Sequence, residues 1–173
     1  MNGISTHEAP AQGMVFIHSA PAALMPHIEW ALGRHLGGPV WLQWAAQPAK
    51  SSHFRTEHAW VAKPSFGAML ASELLGWGSI SFEIIQDQAQ GHHGWRWAFT
   101  PSLGLFQGQI DAMGNTLVNE HRLTALADSD VENLAELRNQ IRLAIGEPWD
   151  RELEELRYAS AESPVVWLRS VAN

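Results

Sequence analysis

The sequence predicts an α+β domain, and three observations carry that prediction. Gly13-Met-Val-Phe-Ile-His18 is a short, continuous apolar run of the kind found in strands buried on both faces. Leu24, Ile28, Leu32 and Leu36 recur every four residues, which places them on one stripe of a helix. Ile80, Phe82 and Ile84, and again Trp95, Trp97 and Phe99, alternate with other residues at the period of a strand.

Taken in order, residues 1–12 carry Gly, Ser, Thr and Pro without a period and read as a flexible N-terminal tail. The first strand runs over 13–18, and Ser19-Ala-Pro-Ala closes it and opens helix one, which Gly37-Gly38 stops. Pro39 to Ala45 is expected as strand two and Phe54 to Val61 as strand three, with Gln47-Pro-Ala-Lys-Ser-Ser52 as the loop between them. Pro64 suits a first helical turn, and Phe66, Leu70, Leu74 and Trp77 share the inner face of helix two. Strand four follows over 79–84.

The resulting order, β-α-β-β-α-β, is the split arrangement of a ferredoxin-like core. Trp95–Phe99 and Leu105–Ile110 add two antiparallel strands, and Thr116–Val118 a short third. The last third is expected to be helical. Ser129 and Glu132 form a capping box before a stripe of Leu134, Ile141 and Ile145, which Gly146 ends. After Pro148, Trp149, Leu153 and Leu156 mark an acidic amphipathic helix, and Pro164 precedes an apolar segment ending in Trp167 and Leu168. With no linker or repeat, residues 13–173 read as one domain.

Composition narrows the function classes. Apolar residues make up 46% and charged residues 17%, a globular balance. A formal charge of −7 with only 11 Lys and Arg disfavours nucleic-acid backbones and anionic membranes as partners. The absence of cysteine excludes disulfides, thiolate metal sites, iron–sulfur clusters and thiol nucleophiles. No basic, apolar leader and no run of the roughly 20 apolar residues needed to span a bilayer is visible, so a cytoplasmic location is expected.

Three segments carry a resemblance. They are His18-Ser-Ala-Pro-Ala-Ala-Leu-Met-Pro-His-Ile-Glu-Trp30, Thr100-Pro-Ser-Leu-Gly-Leu-Phe106, and Glu147-Pro-Trp-Asp-Arg-Glu-Leu-Glu-Glu-Leu-Arg-Tyr-Ala159 running into Pro164-Val-Val-Trp-Leu168. Through them the chain resembles an uncharacterised actinobacterial protein family, a domain of unknown function, from Gly13 to the C-terminus. The resemblance implies kinship and brings no catalytic residue with it.

Candidate chemistry concentrates after strand one. His18 ends a buried strand, Ser19 precedes a helix, and a helix start offers free N–H groups and partial positive charge to an anion. The loop is neither a dinucleotide fingerprint nor a P-loop. The plainer expectation is that Ser19 caps helix one and His18 bonds a neighbouring loop. In the split topology His53 comes to the same sheet end as His18, while His92 and His93 lie at the opposite end. Nine histidines therefore split into two groups. His53 and His58, five apart on one strand, stand roughly 17 Å apart on opposite faces. No metal and no cofactor is expected. Glu83, Asp87 and Asp111 read as scattered acids, and no Ser-His-Asp set can be assembled.

Trp41, Trp44, Trp60, Trp95 and Trp97 fall on expected strands. They are read as core beneath the C-terminal helices; a base-stacking platform would need more basic partners than Arg55 and Arg96. The leading expectation is a non-catalytic binding or regulatory domain for a small ligand or a protein partner. The alternatives are an enzyme acting on a small anionic substrate through His18, Ser19 and His53, and single-stranded nucleic-acid binding on an aromatic sheet face.

Overall fold

Most of the strands the sequence predicts pair edge to edge in one antiparallel sheet. The computed structural model describes residues 9–89, 93–130 and 133–157. Its strands are β1 (Ala11–Pro21), β2 (Ala45–Ala46), β3 (His53–Ala62), β4 (Ser81–Gln86), β5 (Gly94–Thr100), β6 (Gly104–Ile110) and β7 (Thr116–Leu117). Its helices are α1 (Met25–Leu36), α2 (Phe66–Leu75), α3 (Glu120–Ala127), α4 (Leu134–Ile145) and α5 (Glu147–Arg157). The sheet order is β2-β3-β1-β4-β5-β6-β7, and every neighbouring pair is antiparallel. The protein is thus α+β, and β5 to β7 extend the first sheet. The two-residue strands β2 and β7 pair with only Phe54–Arg55 of β3 and Gln109–Ile110 of β6, so most of the outer edge of those two strands has no strand partner among the described residues.

The main core lies between one sheet face and the pair α1/α2. Val15, Ile17, Trp60, Ile80, Phe82, Ile84, Trp97 and Phe99 meet Ile28, Leu32, Phe66, Leu70 and Leu74 there. The expected inward set of strand four is therefore observed, although β4 starts at Ser81. The tryptophan core sits beneath α1 and α2, not beneath the C-terminal helices. Two glycines make room for it. A Cβ on Gly67 of α2 would lie 2.5 Å from Trp97, and one on Gly13 would lie 1.9 Å from the Ile85 carbonyl oxygen.

Several boundaries differ from the expectation. β1 begins at Ala11, two residues inside the expected tail. Residues 39–44 form no strand. The carboxylate of Glu29 in α1 accepts from the Leu42 N–H at 3.0 Å and from the Trp44 indole at 3.1 Å. A helix side chain thus takes a donor that a strand partner would have used, and Trp41 is left 82% exposed. α2 starts at Phe66, two residues after Pro64. Gly37 ends α1 as expected, with φ 81° and its N–H on Gly33.

In the last third, α3 was not anticipated, although Asn119 caps it by accepting the Arg122 N–H at 2.9 Å. Glu132 of the expected capping box lies outside the described residues. The cap of α4 is Asn133, which accepts the Glu136 N–H at 3.0 Å. Leu134, Ile141 and Ile145 are exposed, and Ala144 is the residue α4 buries. α5 buries Trp149 and Leu153 as its stripe predicts. The apolar segment after Pro164 lies outside the described residues. Among those described, no helix is long and apolar enough to cross a membrane.

Candidate functional site

The second sheet face, beneath α5, carries the buried acid and the buried arginine found among the described residues, Glu83 and Arg96. Its geometry begins with an irregularity in β1. Against β4, Ile17 pairs with Phe82 and Ser19 with Ser81, so His18 is an extra residue in the ladder. A β-bulge of this kind re-aims a side chain and bends the strand. Phe16 lies opposite Glu83, which puts Glu83, Ser81 and Ser19 on one face. His18 shares that face with Phe16 by ordinary alternation, and the bulge is what sets Ser19 there beside it. Its ring stacks on Phe16, with centroids 5.9 Å apart and planes 5° apart. Its Nε2 donates to Glu83 Oε2 at 2.7 Å.

Glu83 is the hub. Arg96 of β5 donates to Oε1 from Nε at 2.9 Å and approaches it from Nη2 at 2.8 Å. Arg157, at the end of α5, donates to Oε2 from Nε at 3.1 Å and from Nη2 at 2.5 Å. Arg96 also grips Asp150 of α5 with two bonds, Nη2 to Oδ1 at 2.5 Å and Nη1 to Oδ2 at 3.3 Å. Two carboxylates and two guanidiniums thus interlock with one imidazole. Glu83 is 5% exposed and Arg96 8%. Burial alone would raise the Glu83 pKa. The His18 hydrogen bond and the charges of Arg96 and Arg157 outweigh it and hold the carboxyl well below the usual carboxylate range. Burial would likewise lower the Arg96 pKa, but Glu83 and Asp150 raise it on balance, so the guanidinium stays charged.

The same face holds α5 by further polar contacts. Gln47 donates to the His18 carbonyl at 2.5 Å and to the Leu156 carbonyl at 3.2 Å. The Trp149 indole donates to the Gly104 carbonyl at 2.8 Å, and Ser102 donates to Glu152. The apolar part is small, with Trp149 and Leu153 on Ala98 and Phe106. At about 1.5–3 kcal/mol per buried side chain, Trp149 and Leu153 contribute about 3–6 kcal/mol. The ion pairs add specificity of placement more than net stability, because desolvation offsets much of their attraction.

The expected site residues are only partly brought together. His18 and Ser19 share the face, but Ser19 caps no helix. It lies in β1, 1% exposed, and its hydroxyl has no partner among the described residues. The turn before α1 is headed by Pro21 and α1 by Leu24, neither with a side-chain cap. His53 lies opposite Pro21, at the expected end of the sheet, but its Nδ1 donates to the Ser51 carbonyl at 3.0 Å. His93 lies at the other end, and His92 is outside the described residues. His58 is half-buried, and burial lowers its pKa. Among the described residues, no three His, Asp or Glu side chains are grouped to hold a metal ion. The strand tryptophans make no open platform, since Trp60 and Trp97 are buried and Trp95 packs against the same core.

Glu83, Arg96, Asp150 and Arg157 were not singled out as a site by the sequence reading. Their strand and helix positions alone read as solvent-facing. The one available signal was an Arg between two inward tryptophans in a strand as apolar as 94–100. Chemically, the cluster can hold a helix against a sheet. Its acid is fully engaged by cationic donors, and the one ring nitrogen of His18 seen in a contact is bound to that acid.

No curated protein and no solved structure matches the chain. A family model described as "Protein of unknown function (DUF3145)" matches residues 14–170. That span includes all of the sheet from Met14 onward and every member of the ionic cluster, and the chain belongs to this family.

Proposed function

We propose that the protein is a cytoplasmic, non-catalytic binding or regulatory domain acting on a protein partner or small ligand. The observation that supports this most is the engagement of His18, the best sequence candidate for acid–base work. Its Nε2 is held 2.7 Å from a carboxylate that four guanidinium nitrogens also contact. A general base must reach its substrate proton through an available nitrogen. The rival, an enzyme for a small anionic substrate, would have to work through the other ring nitrogen of His18, a residue only 8% exposed, with an anion held at Ser19 and the start of α1. Nucleic-acid binding ranks lower, because a formal charge of −7 opposes phosphate.

Native mass spectrometry of gently purified protein tests the proposal, together with a turnover screen on phosphate and carboxylate esters. A stoichiometric bound protein or small ligand, with no turnover dependent on His18, is the expected result. Turnover that His18→Ala abolishes while the fold stays intact would overturn it.

A further inference from the structure

Among the described residues there are two buried apolar clusters of unequal size, and α5 belongs only to the smaller. The main core between α1, α2 and the sheet contains no α5 residue. The second consists of Ala98, Phe106, Trp149 and Leu153. α5 can therefore leave the sheet without opening the main core. A single residue, Gly146, links it to α4, and that residue adopts φ 84°, with Phe106 where a Cβ would stand. What α5 presents to the sheet is a short pattern on one helical face, namely Trp149, Asp150, Leu153 and Arg157. Each member meets a defined receptor on the sheet, with Phe106 shared by the two apolar ones. Phe106 and the Gly104 carbonyl receive the indole, Arg96 the aspartate, Ala98 and Phe106 the leucine, and Glu83 the arginine.

We propose that this sheet face is a helix-recognition surface and that α5 occupies it as an autoinhibitory stand-in. The partner it fits is an amphipathic helix of another protein that carries an aromatic, an acid, a leucine and an arginine at α5's spacing. This rests on the binding-domain reading above and names the partner chemistry for that same face. A buried charge pair favours such a role. It sets one register for the helix, yet returns little net stability once desolvation is counted, so one helix can be exchanged for another of like pattern. The competing partner then works against a cover of high local concentration, and its apparent affinity falls by the fraction of time the cover is open.

The test uses the full chain and a fluorescent peptide of residues 146–157. Anisotropy should show weak binding to the wild-type protein. In Arg157→Ala the internal cover loses its anchor while the receptor Glu83 remains, and binding should tighten at least about tenfold. A peptide with Ala in place of that arginine should lose this gain, and Arg96→Ala should bind neither peptide. Hydrogen exchange on the wild type supplies a second readout that needs no variant. α5 amides should exchange through an opening that leaves β1 and β4 protected. Absence of peptide binding to a folded Arg157→Ala protein would overturn the proposal. So would α5 amides that exchange only with the β1 and β4 amides. Formation of a dimer by exchange of α5 between copies would replace the foreign helix with the chain's own and refute the partner assignment. A bound small molecule in the native spectrum, with these results intact, would overturn only the choice of a protein partner.

Discussion

Glu83→Gln keeps the shape of the side chain and removes its charge. Arg96, 8% exposed, and Arg157 would then face a neutral amide in place of a carboxylate, with Asp150 as the remaining acid they share among the described residues. Removing one partner of a buried pair typically costs about 3–5 kcal/mol, because the other charge stays buried without compensation. Asp150, whose side chain is 43% exposed, relieves part of that, so the lower end, about 3 kcal/mol, is expected. For a chain of this size each kcal/mol moves the midpoint by about 2–4 °C, so thermal unfolding should shift down by roughly 6–12 °C. Circular dichroism with parallel urea titration reads both quantities. A Glu83→Gln protein within about 0.5 kcal/mol of wild type would refute the reasoning, since that is the scatter of ordinary surface changes.

The remaining predictions follow from the same contacts. Because the folded-state pKa of Glu83 is depressed, its stabilisation is present above the unfolded carboxylate value and lost as pH falls below it. Acid titration of stability should therefore be shallower in Glu83→Gln than in wild type below about pH 4.3, the ordinary glutamate value. Gly67→Ala would push a Cβ to 2.5 Å from the Trp97 ring and should cost about 1–3 kcal/mol by urea unfolding. Trp41→Ala, at an 82% exposed position, should change stability by less than about 0.5 kcal/mol in the same assay. Asn133→Ala should remove the cap of α4 and cost about 1 kcal/mol.

What the sequence disclosed, and what it withheld, follows from the range of the interactions. Ile80, Phe82 and Ile84 were legible because alternation is a local consequence of the pleat, and all three are fully buried. Gly37 was legible because a left-handed cap is a one-residue requirement. The 39–45 segment was misread because its fate depends on Glu29, thirteen residues before Leu42, whose carboxylate takes a donor that a strand partner would have used. α4 was misread in part because a periodic stripe announces a helix but not which side finds a partner, and Ala144 was the side that did. The site was the least legible. His18 was noticed for its place at a strand end, but its partner Glu83 lies 65 residues away and only the register of β1 against β4 brings the two together. Glu83 and Arg157 are 74 residues apart, and nothing local in either strand or helix joins them.

A double-mutant cycle on Glu83→Gln and Arg157→Ala, read by urea unfolding, tests most directly whether this buried pair is what fixes α5 to the sheet. Residues in direct contact within one charged network couple by about 0.5–3 kcal/mol, and a fully engaged pair should lie in the upper half of that range. A coupling above about 1.5 kcal/mol is the predicted result. Additivity within about 0.3–0.5 kcal/mol, as for distant and independent sites, would show that the two side chains do not act together and would contradict the account.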